Sequence, residues 1–243
     1  MRIVVKSFLA VLTIGSFFGA ANAGIISVNL QGNDEAGLPS TDSVGVVSAA
    51  NWNNVAGASG GPVTLNYSTG LASPVTISSF SLSGSYSKAV GTGTAHATPQ
   101  ETVFQSGLNV NYGTAAVSFA GLSAFTSYDI LVYYQDGTSF PESRQAKITN
   151  SGDSPTTFYA AGWASALTGY KLSDSTDSAT YKTGNYARFT NLTGDTQTIS
   201  YIFVSSPSTL AGFQIITAVP EPASLSLLTI GGVALLGRRR NVG

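Results

Sequence analysis

Apolar and polar residues alternate along most of the chain, and the alternation breaks at Gly, Pro, Asn and Ser. A period of two marks a strand with one buried face. It predicts strands at Ile25–Leu30, Val63–Asn66, Val75–Leu82, Ala115–Ala120, Ser127–Gln135, Gln145–Thr149, Thr156–Ala160, Tyr186–Leu192, Gln197–Val204 and Ala211–Thr217. Within Tyr128–Tyr134, one face carries Tyr128, Ile130, Val132 and Tyr134, and the other carries Asp129, Leu131 and Tyr133. No stretch between Gly24 and Ala218 sustains a 3.6-residue stripe, so helices there are expected to be short or absent. About ten strands at this spacing predict an all-β fold, an antiparallel β-sandwich of two packed sheets.

Two long stretches interrupt the strands. Asp34–Gly61 is rich in Asn, Ala, Gly and Ser and holds Trp52. Ser83–Gly107 is richer still in Gly, Ser and Thr, holds the only histidine, His96, and is expected to be mobile. Long loops on a β scaffold are where binding sites usually sit.

The two chain ends break the pattern differently. Arg2 and Lys6 precede an apolar run, Ser7 to Gly19, and a small-x-small site, Ala21-Asn22-Ala23. This is the order of a cleavable signal peptide over residues 1–23, with the mature chain starting at Gly24. At the other end Val219-Pro220-Glu221-Pro222 leads into Ala223–Gly237, an apolar run with Leu225, Leu227, Leu228, Ile230 and Leu236, and then Arg238, Arg239 and Arg240. As a helix that run spans about 22 Å, against a bilayer core of about 30 Å, which suits temporary residence in a membrane. The arginine triplet is a stop that stays on the cytoplasmic side. Pro220 and Pro222 keep the junction extended and exposed, as a processing protease requires. The chain thus reads as a signal helix (1–23), a β body (24–218) and a tail with a hydrophobic helix (219–243).

The tail resembles the PEP-CTERM sorting signal in all three parts: Pro220-Glu221-Pro222, the apolar helix and the arginine cluster. That resemblance implies cleavage at Val219–Pro222 by an exosortase, a membrane-embedded cysteine transpeptidase of exopolysaccharide-making Gram-negative bacteria. It implies export, transient anchoring in the inner membrane, and a final place at the cell surface or outside it. More loosely, Ser27-Val28-Asn29-Leu30, Ala50–Asn54 and Ala211–Ile216 resemble the opening and closing strands of galactose-binding-type jelly rolls, which makes the sandwich jelly-roll-like. Gly121-Leu122 leading to Tyr128 resembles the tyrosine corner of sandwich domains, where a tyrosine hydroxyl caps nearby backbone.

Composition narrows the chemistry. The whole chain carries a net charge of −1, but five of its 11 basic residues lie in the two signals. The body keeps 6 basic and 11 acidic residues, a net of −5, which argues against nucleic acid. Cysteine is absent, which removes disulfides, thiol nucleophiles and thiolate metal sites. A single histidine leaves little room for zinc or histidine-base mechanisms.

The candidate binding residues are Trp52, Asn53 and Asn54, with Trp163 as a second position. An aromatic face stacks on a sugar ring, and neighbouring carboxamides bond its hydroxyls. The alternative is that Trp52 plugs one end of the sandwich while the asparagines cap turns. Asp34 with Glu35, and Asp174 with Asp177, could hold a structural calcium, although neither matches the EF-hand spacing; solvated turn residues are the plainer reading. No metal, cofactor or catalytic residue is therefore assigned. The expectation is a non-enzymatic exported protein, structural or binding exopolysaccharide, with an exosortase as processing partner. The alternative is a glycoside hydrolase using Glu101 and Glu142, since that chemistry needs only two carboxylates.

Overall fold

A computed structural model describes residues 24–31, 38–56, 61–82, 103–104, 107–110, 113–135, 145–152, 155–162, 169–204 and 208–217, all within the compact unit Ala23–Val219. The two helices expected at the chain ends, with Ala21, Ala23, Val219–Pro222 and Arg238–Arg240, lie outside these residues.

The described residues form two sheets. The strands are β1 (Ile25–Gln31), β2 (Asn53–Ala56), β3 (Val63–Asn66), β4 (Ala72–Leu82), β5 (Leu108–Val110), β6 (Thr114–Ala120) and β7 (Tyr128–Gln135). They continue with β8 (Gln145–Asn150), β9 (Thr156–Ala161), β10 (Lys182–Thr183), β11 (Tyr186–Leu192), β12 (Gln197–Phe203) and β13 (Ser208–Thr217), and a 3-10 turn at Leu122–Ala124 precedes β7. One sheet has six strands, in the order β11-β7-β13-β1-β2 with β5 also on β13. The other has seven, in the order β10-β9-β8-β12-β6-β4-β3. Every strand expected from the alternation is present, and the first strand pairs with the last.

The sheets are mixed, which corrects the purely antiparallel expectation. β1 runs parallel to β2, and β9 runs parallel to β10. Both pairs are joined by long connections, and a parallel pair needs a crossover of a dozen or more residues to bring the chain back in the same direction.

Alternation explains the packing. β6, β8 and β12 bury every second residue, and those residues meet the inward side chains of the six-stranded sheet. Three aromatic pairs cross the gap: Phe119–Phe213 at 5.2 Å, Tyr134–Tyr201 at 6.0 Å and Phe158–Phe189 at 4.9 Å between ring centroids. Each such pair adds about 0.5–1.5 kcal/mol beyond its area burial. β7 is buried on both sides. Its Tyr128, Ile130, Val132 and Tyr134 enter the inter-sheet core, and Leu131 and Tyr133 enter a second cluster with Leu38, Val44, Trp52 and Phe104. That second cluster roofs the outward side of the six-stranded sheet with residues 38–52 and 103–104. Much of Ser83–Gly107 lies outside the described residues, yet Val103 and Phe104 are buried.

Candidate functional site

Trp52, Asn53 and Asn54 stand where the two sheets meet along one side, β2 closing one sheet and β3 the other. A cleft of about 390 Å³ lies there, lined by Ser40, Asn51, Trp52, Asn53, Thr64 and Asn66 among others. The residues picked out from the chain pattern are therefore together, but they are spent on the fold.

The expected sugar-stacking role of Trp52 does not fit its place. The indole is 4% exposed, lies 5.9 Å from the Tyr133 ring, and donates Nε1–H to the Ala49 carbonyl at 2.9 Å. A stacking platform must offer a ring face to solvent; this ring is core. The carboxamides are occupied as well. Asn53 donates to the Ser27 and Asn66 carbonyls, both at 2.9 Å, and accepts from the Asn66 N–H at 2.8 Å. It thereby pins β3 to the β1–β2 pair. Asn54 accepts from Asn29 Nδ2 at 3.0 Å and from the Leu38 N–H at 2.9 Å, and donates to the Leu38 carbonyl at 3.0 Å. Asn51 holds a left-handed φ of 51° and donates to the Ser68 carbonyl at 2.8 Å. Trp163 lies outside the described residues.

A buried polar hub on the same roof was not foreseen. Gln214 is fully buried on β13. Its amide donates to the Val47 carbonyl at 2.7 Å and to Ser27 Oγ at 3.1 Å, while its Oε1 accepts from the Tyr133 hydroxyl and the Val47 N–H. Val46 N–H donates to the Tyr133 hydroxyl and Gly45 N–H to the Tyr170 hydroxyl, each at 2.8 Å. Gly45 has a φ of +105°, and a Cβ there would stand 2.7 Å from the Gln214 amide, so this turn requires glycine. Burial pushes the Tyr133 phenol well above its ordinary value, opposed by the Val46 N–H bond, and burial also raises Tyr134. Both phenols stay protonated at any physiological pH. The signal available in the chain was Gln214 itself, a polar residue inside the apolar run of β13.

Tyr128 keeps the expected capping role with a different target. Its hydroxyl donates to the carbonyls of Thr193 at 2.9 Å and Gly194 at 3.0 Å, in the β11–β12 turn, and accepts from Gln197 Nε2 at 3.0 Å.

Four described carboxylates, Asp129, Asp174, Asp177 and Asp195, are tied to protein groups. The Lys182 ammonium beside Asp174 holds that carboxyl below its usual range. Bonds from the Ala179 N–H and the Thr180 hydroxyl lower Asp177, and bonds from the Ser123 hydroxyl and N–H lower Asp195. Among the described residues no three His, Cys, Asp or Glu side chains group as metal ligands would. Asp34, Glu35, His96, Glu101 and Glu142 lie outside the described residues.

Residues 218–240 match the family model of the PEP-CTERM protein-sorting motif. No curated protein matches this chain. The chain is an exported protein with a β-rich body, and its C-terminal signal directs membrane-associated processing by an exosortase. Among the described residues no helix is long and apolar enough to cross a membrane.

Proposed function

We propose that this protein is a non-enzymatic structural component of the cell exterior, held briefly in the inner membrane by its tail and then released or attached at the surface. The observation that carries the reading is the sorting motif at 218–240, which begins directly after β13 ends at Thr217. Supporting it, Asp129, Asp174, Asp177 and Asp195 are each bonded into the fold, and the chain holds no cysteine and one histidine.

The test follows the tail. Fractionation of cells producing the chain without residues 218–243 should show altered localisation, and mass spectrometry of the intact chain's mature product should place its new C-terminus at Val219–Pro222. Normal sorting of the truncated chain would end the proposal.

A further inference from the structure

The first and last residues of the body's ladder, Gly24 and Thr217, meet at one corner, and that corner carries the most exposed large apolar side chain described. Gly24 and Thr217 are bonded to each other there. The β3–β4 turn packs against them. Ser68 N–H donates to the Ile25 carbonyl at 2.7 Å, and a Cβ on Gly24 would stand 2.7 Å from the Tyr67 ring. Tyr67 N–H to the Leu71 carbonyl and Gly70 N–H to the Tyr67 carbonyl, both at 2.8 Å, close the turn. Its outer residues, Thr69, Gly70, Leu71 and Ala72, are exposed, and no charged residue lies between Asn66 and Pro74. Leu71 is 70% exposed. The other exposed large apolar residue described, Val204 at 44%, follows β12 at the opposite end of the sandwich.

An exposed leucine is ordinary by itself. Where the chain continues gives this one a partner. Residues 218–222 separate Thr217 from the apolar run that starts at Ala223. Fully extended they span about 20 Å, of which the headgroup layer takes up about 5–7 Å. With the tail in the bilayer, this corner of the body is held at the lipid surface. A tether of that length makes contact with the surface intramolecular, at an effective concentration of about millimolar, so a weak apolar contact suffices. Tyr67, half-buried beside Leu71, is the ring type that favours the headgroup level. The body is net negative, and Asp129 and Asp195 belong to the same end, on β7 and in the β11–β12 turn. The contact is therefore apolar rather than ionic, and it suits zwitterionic lipid.

We infer that the β3–β4 turn, through Leu71, touches the membrane surface and seats the body end-on against it while the tail is inserted. The inference rests on the proposed residence of the tail in the membrane. Cutting the tail removes the tether, and the contact alone is too weak to hold the body, so processing also frees this corner.

The chain has no cysteine, so a single introduced one can carry an environment-sensitive fluorophore. The full chain is reconstituted in phosphatidylcholine vesicles with the label at Thr69→Cys, Val204→Cys or Leu228→Cys, and lipids spin-labelled in the headgroup or the acyl chain serve as quenchers. Headgroup quenchers should quench the label at 69 at least threefold more than at 204, and acyl-chain quenchers should reach 228. Leu71→Asp, at a position exposed enough to spare the core, should at least halve the quenching at 69. Equal quenching at 69 and 204, or quenching at 69 unchanged by Leu71→Asp, while 228 is quenched, would overturn the inference and leave the tail's residence standing. A label at 228 that acyl-chain quenchers do not reach would overturn both.

Discussion

Gln214 shows how a single side chain can hold a loop in place. Its carboxamide meets β1, β7 and residues 45–47 at once, so truncation strands several buried groups. Gln214→Ala is expected to lower the unfolding free energy by about 2–3 kcal/mol, the cost of leaving buried polar groups unpaired, measurable as a lower urea midpoint. Trp52→Ala should cost about 3–5 kcal/mol, as a large buried ring leaves a cavity. A binding residue would instead leave stability nearly untouched. The buried phenols add a pH signature. Tyr133 and Tyr134 are raised above the ordinary tyrosine value by burial, so the folded state retains their protons when the unfolded state loses them. Their contribution is complete below about pH 10 and is lost as pH rises beyond it, so thermal scans should show the melting point falling in that range.

At the level of the strand, the alternation of the chain was legible because one side of nearly every long strand meets apolar neighbours. β2, β5 and β10 were not legible, since Asn53–Ala56, Leu108–Val110 and Lys182–Thr183 are too short to show a period. The cleft was legible only as a place. Trp52, Asn53 and Asn54 do lie together, but their roles depend on Tyr133, Ser27, Leu38 and Asn66, partners distant in the chain. The edge contact is testable by itself. Asn53→Ala removes the bonds that tie β3 to β1–β2, and hydrogen exchange should speed up at the Val55 and Asn66 amides with about 1–2 kcal/mol of lost protection. A second pin joins the Leu122–Ala124 turn to the β11–β12 turn through Asp195 and Ser123. Asp195 is held below the ordinary carboxylate value, so its contribution is present above about pH 4 and fades as pH falls further. Asp195→Asn should flatten part of the acid side of the stability profile.

For the molecule as a whole, the described body closes upon itself. Thr217 N–H donates to the Gly24 carbonyl and Gly24 N–H donates to Thr217 Oγ1, both at 2.9 Å, at the outer end of the β1–β13 ladder. The strand ladders and both apolar clusters described above lie between these two residues, and removal of residues 218–243 is expected to leave the melting point within about 2 °C of the intact chain, as a thermal scan would show. Such a body is in effect a cassette. Because it begins and ends one ladder rung apart, it can be spliced into a surface loop of another protein, entering and leaving at a single point without parting the host's backbone.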